Sequence, residues 1–205
     1  GVKVEKNSPD SFTFQADEID LEYLKTKDFK KRGASLRGSI MLLGPLVTRF
    51  KRGYMPNPGG DKIGRRRLDT HFTGLQKLGA KFLYDENDQL YKIEASKLAG
   101  CYMLLDEASV TGTANIVMAA VMAKGITQIF NAACEPYLSQ LCSMLTKMGA
   151  KIDGIGSNLL TIKGVDYLKG CDHTVLPDMI EIGSFIGMTA MTQSEITIKN
   201  VNYKA

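Results

Sequence analysis

One stretch of this chain concentrates groups able to do acid–base and anion chemistry: Asn57-Pro-Gly-Gly-Asp-Lys-Ile-Gly-Arg-Arg-Arg-Leu-Asp-Thr-His71. Gly59, Gly60 and Gly64 let its backbone come close to a ligand, and guanidinium groups beside such a backbone bind phosphate bidentately. Asp61 stands at the tip, between Gly60 and Lys62. Spacing alone leaves two readings of it open: an exposed loop carboxylate, or a general acid carried to the substrate when the loop closes. The neighbouring cations lower a carboxyl pKa, so desolvation and substrate charge must offset them in the second reading. A second stretch, Asp106-Glu-Ala-Ser-Val-Thr-Gly-Thr113, opens a helix. Ser109, Thr111 or Thr113 is the expected N-cap there, and the free amides of a helix start suit a diphosphate. The chain carries no P-loop, nucleophile-elbow or zinc-protease signature.

The cationic charge is concentrated around these residues. Of 26 Lys/Arg and 22 Asp/Glu, 13 and 2 lie between Lys25 and Arg67, so that stretch is net +11 and the remainder net −7. Such asymmetry reads as a solvated charged face or as a site for a polyanion, either nucleic acid or a small phosphorylated ligand. A nucleic-acid-binding module using segment 25–67 is therefore an alternative to an enzyme, although few aromatics interleave with the cations for base stacking. The 205 residues, 44% hydrophobic, form an ordinary globular composition, long enough for one sizeable core. Apolar runs such as Ile116–Ala123 fall far short of the ~20 residues a bilayer demands, so no membrane is expected. Cys101, Cys134, Cys142 and Cys171 form no CxxC pair and read as idle thiols of a reducing cytosol. With His71 and His173 as the only histidines, no metal is expected.

The elements that must position these groups repeat along the chain. Leu75-Gln-Lys-Leu-Gly-Ala-Lys81 returns as Leu145-Thr-Lys-Met-Gly-Ala-Lys151, and each copy leads to a short alternating run, Tyr91–Ala95 and Leu160–Gly164, then to Leu-x-Gly at 98–100 and 168–170. Gly1–Lys6 and Phe12–Ala16 read as an earlier copy that begins halfway. Gly38-Ser39, Gly112-Thr113 and Gly183-Ser184 recur at nearly equal intervals, each before an apolar helical stretch. One unit therefore reads as a helix ending at Gly79 or Gly149, two short strands joined by a polar turn, a third strand, a helix and another strand. Thr111–Ala123 and Asp178–Met191 are apolar nearly all round and are expected to be buried helices. Gln128–Phe130 and Glu195–Lys199 read as the strands that follow them. Three such units related by pseudo-threefold symmetry make one α/β domain spanning 1–205. Both ends fall inside a unit, so the sequence is expected to be an excised piece of a longer protein.

Arg37-Gly-Ser-Ile-Met-Leu-Leu-Gly-Pro-Leu-Val-Thr-Arg-Phe50, Pro58–His71 and Gly74–Ala80, with Ser109-Val110, Asn131–Pro136 and Val175–Gly183, closely resemble the UDP-N-acetylglucosamine 1-carboxyvinyltransferases. The resemblance covers the whole chain, in motif order and spacing. It implies one domain of the inside-out α/β barrel of the EPSP synthase-like superfamily, built from βαβαββ units. It implies transfer of the enolpyruvyl group of phosphoenolpyruvate to the 3′-hydroxyl of UDP-N-acetylglucosamine with release of phosphate, without a cofactor, in the cytoplasm, at the first committed step of peptidoglycan synthesis. By position, Asp61 takes the place of the loop cysteine that donates the proton in most members, within a mobile catalytic loop, 53–67. Arg37 matches an arginine that contacts the nucleotide, and Arg66 one near phosphoenolpyruvate and phosphate. Arg66, Arg67, Leu68, Asp69 and Thr70 match one nucleotide-binding segment; Glu107, Ala108, Ser109 and Val110 match the other. Arg67 replaces a common proline, Thr111 a common glycine and Glu107 a common lysine. The implied partners are the two substrates and the second domain of the same parent chain, so this piece alone is expected to be nearly inactive. The sister family, 5-enolpyruvylshikimate-3-phosphate synthase, and a non-catalytic relative of the transferase are the remaining alternatives.

Overall fold

The computed structural model describes residues 2–60, 64 and 67–201. β1 (Lys3–Ser8) and β2 (Ser11–Gln15) form an antiparallel hairpin. A 3-10 turn at Tyr23–Lys25 leads to α1 (Lys27–Ser35), capped by the Thr26 side chain on Phe29 N. A second 3-10 stretch, Arg37–Leu42, runs straight into α2 (Leu43–Phe50). Then come β3 (Arg52–Pro56), α3 (Asp69–Lys77), β4 (Lys81–Asp85), β5 (Leu90–Glu94) and β6 (Tyr102–Leu104). The chain continues through α4 (Val110–Ala120), β7 (Ile126–Phe130), α5 (Pro136–Lys147), β8 (Lys151–Asp153), β9 (Leu159–Lys163) and α6 (Met179–Thr192).

The repeat seen in the sequence is a repeat of topology. β6–α4–β7–α5–β8–β9 is one whole βαβαββ unit, with strand order β6-β7-β9-β8, β6 parallel to β7 and the other neighbours antiparallel. α2–β3–α3–β4–β5 repeats it without the first strand, in the matching order β3-β5-β4. The hairpin β1–β2 corresponds to β4–β5 and β8–β9, as the halfway copy in the sequence implied. Gly79 and Gly149 adopt φ of 104° and 108°, the left-handed conformation that closes α3 and α5 at equivalent points.

The core is organised on α4. Its residues Ile116, Val117, Ala119 and Ala120 are fully buried, so a helix apolar on every side is covered on every side. α2 and α3 reach it at glycines: a Cβ on Gly44 would meet the Asn115 carbonyl oxygen at 2.6 Å, and one on Gly74 would run into the Ile116 side chain. α5 buries the single stripe Leu138, Cys142 and Leu145, the spacing of one helix face.

Two expectations fail toward the C-terminus. α6 forms over nearly the predicted residues but buries none of them; Ile180 is 73% and Met191 88% exposed. All-round apolarity produces burial only where neighbours cover each face, and among the described residues nothing covers α6. Glu195–Lys199 forms no strand, nor does the segment from Gly170 to Asp178, because a strand needs a hydrogen-bonded neighbour and neither segment has one among the described residues.

Candidate functional site

The predicted site residues that the structure describes gather where α3 and α4 begin. Arg37 opens the 3-10 stretch and its Nη2 donates to the Arg67 carbonyl at 2.8 Å. Gly60, with φ of 96°, lies against Arg37: a Cβ there would stand 3.1 Å from the Arg37 Cβ. A side chain there would crowd Arg37 and be strained by the positive φ, so the position favours glycine. Asp61 and Arg66 lie outside the described residues.

Arg67 reaches in two directions. Its Nε meets Asp69 Oδ2 at 2.9 Å, at the first residue of α3, and its Nη2 meets Asp106 Oδ2 at 3.0 Å, on the loop entering α4. The Asp69 carboxylate, hydrogen-bonded to it, raises the guanidinium pKa above its ordinary value, with Asp106 and Glu107 adding to the effect. Thr70, nearly buried, donates its Oγ1 to Glu107 Oε1 at 3.2 Å. Leu68 and Val110 turn inward and pack on the core, whereas Ala108 is exposed. Ser109 caps α4 by accepting from Gly112 N at 3.1 Å, the expected role for one of the three hydroxyls at that helix start. The two segments 67–70 and 107–110 are therefore side by side, with two helix N-termini and Arg37 beside them. Helix starts favour anions through free amides and the positive end of the macrodipole.

Beneath this surface lies a buried polar relay that the sequence reading missed. Asn115, fully buried on α4, accepts from Gly44 N at 2.7 Å through Oδ1, and its Nδ2 donates to the Ile40 carbonyl at 2.9 Å. The same Nδ2 lies 3.0 Å from His71 Nδ1. Because Gly44 N–H fixes the amide orientation, His71 Nδ1 must accept, which leaves its proton on Nε2 to donate to Thr111 Oγ1 at 3.2 Å. One amide in the apolar run Thr111–Ala123 was the signal available: a polar residue among buried ones needs partners. Burial, with Arg37 adding, pushes the His71 pKa down to about 4.

That shift has a sign. The unfolded chain binds a proton at His71 near pH 6.5 and the folded chain resists it, so stability falls as pH drops from about 6.5 toward 4. The span of the shift gives about 2 kcal/mol of loss between pH 7 and 4.5. Urea midpoints at the two pH values are expected to show this loss in the native sequence and not in His71→Gln. Parallel pH slopes for the two proteins would remove His71 from the account.

The cysteines carry no comparable arrangement. Cys142 is buried, which pushes its thiol up to about 11, and burial also raises Cys101. No helix among the described residues is long and apolar enough to cross a membrane.

Three kinds of likeness bear on this site. The family model for EPSP synthase (3-phosphoshikimate 1-carboxyvinyltransferase) matches residues 18–205. A Bacteroides thetaiotaomicron protein named UDP-N-acetylglucosamine 1-carboxyvinyltransferase is 66% identical over 204 residues, which is 100% of this chain and 47% of that one. A Porphyromonas gingivalis protein of the same name is 61% identical over 98% of this chain and 46% of its own length. The chain thus spans about half the length of the curated relatives it matches. Among solved structures, the enolpyruvyl transferase NikO from Streptomyces tendae aligns with a TM-score of 0.70 at 20% identity, over 90% of this chain and 43% of that one. EPSP synthase from Acinetobacter baumannii aligns with a TM-score of 0.66 at 21% identity, over 99% and 45%. These two structures are alike in fold.

Proposed function

The chain belongs to the EPSP synthase family, and from that premise we propose that it supplies one domain of an enzyme transferring the enolpyruvyl group of phosphoenolpyruvate to the 3′-hydroxyl of UDP-N-acetylglucosamine. The observation that carries this reading is the meeting of segments 67–70 and 107–110 through Arg67–Asp106 and Thr70–Glu107. Those are the segments that the resemblance assigns to the sugar nucleotide, and the 66% identity across the chain supports the same substrate.

In this mechanism the 3′ oxygen bonds to C2 of phosphoenolpyruvate and loses its proton to a base of the other domain. Asp61 delivers a proton to the methylene carbon, giving a methyl group. Loss of a proton from that methyl and cleavage of the C2–O bond then regenerate the double bond and free phosphate. Arg37 and the amides at the α3 and α4 starts hold the nucleotide, with Leu68, Asp69, Thr70, Ala108, Ser109 and Val110 forming its bed. Arg66 is the residue that the resemblance assigns to the phosphate to be expelled. The reading places the reaction in the cytoplasm, at the entry to peptidoglycan synthesis.

The alternative use of the basic segment, as a nucleic-acid surface, has less support. Four of its thirteen cations, Lys25, Lys30, Arg32 and Arg67, are ion-paired, to Glu22, Asp88, Asp28 and Asp69 with Asp106, which lowers the charge open to a phosphate backbone.

The test is a chimera in which this chain replaces the matching stretch of the Bacteroides thetaiotaomicron relative. Phosphate release that requires both UDP-N-acetylglucosamine and phosphoenolpyruvate is the expected result, with none above buffer from residues 1–205 alone. Release from shikimate 3-phosphate in place of the sugar nucleotide, or no release with either, would overturn the reading.

A further inference from the structure

We infer that Arg67 is a positioning residue for the sugar nucleotide, gripping Asp69 and Asp106 together so that the starts of α3 and α4 face one diphosphate. The inference rests on the proposed function and deepens it. The two acids belong to different elements, the first residue of α3 and the loop entering α4, and one planar guanidinium spans them at 2.9 and 3.0 Å. The Arg67 carbonyl is itself held by Arg37, so the grip is tied to the 3-10 stretch as well. A third carboxylate, Glu107, is held beside them by Thr70.

The side chains in both ion pairs are about half exposed, and pairs of that kind add little to stability. Their effect is on geometry and charge. A guanidinium fork fixes the separation of two carboxylates, which the point charge of an ammonium group does not. Without it, the Asp106 carboxylate stands unneutralised beside Glu107 at the start of α4, where an anion must bind, and the macrodipole is opposed where it is needed. Arg67 thus acts through the carboxylates it neutralises, which engage its Nε and Nη2.

Steady-state kinetics of the chimera test this. Arg67→Gln is expected to raise KM for UDP-N-acetylglucosamine by about tenfold or more, while KM for phosphoenolpyruvate stays within roughly twofold and the melting temperature within a few degrees. Asp106→Asn added to that variant is expected to recover about threefold of the loss, because it removes a carboxylate left unneutralised. Arg67→Lys, which keeps the charge and loses the fork, is expected to fall between. A KM for the nucleotide within roughly twofold of the unmutated chimera, an equal rise for both substrates, or no recovery from Asp106→Asn would each overturn the positioning role. An unmutated chimera that releases no phosphate would instead overturn the function on which the inference rests.

Discussion

Asp61→Asn in the chimera is expected to lower kcat by about two to four orders of magnitude, the range lost when a positioned general acid is removed. The amide keeps the size and polarity of the side chain and loses only the transferable proton. KM for UDP-N-acetylglucosamine is expected to change little, since the step that suffers is protonation of the methylene carbon. Asp61→Cys is expected to retain substantial turnover, because a thiol also donates a proton and most members of the resembled family carry one there. The two variants also separate in their response to fosfomycin, which inhibits that family by alkylating the loop thiol. The carboxylate of the native chain is a poorer nucleophile toward the epoxide, so time-dependent inactivation is expected for Asp61→Cys and not for Asp61. Equal kcat for Asp61→Asn and the native residue would remove Asp61 from the mechanism.

The second large effect concerns stability. Asn115→Ala is expected to cost about 3–5 kcal/mol, read from urea midpoints of the chain. The substitution removes the partner of Gly44 N–H, of the Ile40 carbonyl and of His71 Nδ1 together. Each is buried, and an unsatisfied buried group costs about 1–3 kcal/mol. The loss is a large share of the roughly 5–15 kcal/mol by which a domain is stable. Asn115→Leu, which fills the volume and satisfies none of the three, is expected to do no better. A loss below about 1 kcal/mol for Asn115→Ala would show that the relay is dispensable.

Much of this architecture was legible in the residues because it repeats. The Leu-x-Lys-x-Gly-Ala-Lys motif located α3 and α5, their terminal glycines and the hairpins after them, since a helix stop and a two-strand turn are local devices. Ser109 as a cap was legible for the same reason. What was not legible depended on distant neighbours. The apolar run at 178–191 specified a helix but not its cover, and 195–199 alternates as a strand does without a strand beside it among the described residues. The pairing of Arg67 with Asp106 joins residues from two units, and no local pattern announces it. Arg67 read as a ligand contact, and the structure adds that its side chain also pairs with two carboxylates. The resemblance brought segments 66–70 and 107–110 to one ligand; the structure adds how those described residues touch.

The single amide on α4 also answers a question of alignment. A helix of small apolar residues slides easily along its neighbours, because alanine, valine and isoleucine offer almost the same surface one step up or down. Shifting α4 by one residue would bring Ala114 or Ile116 to the three polar groups that Asn115 now serves, and each would be stranded. The amide thus works as a key that admits one register among several that oily contact alone would tolerate, and the helix start above it inherits that accuracy.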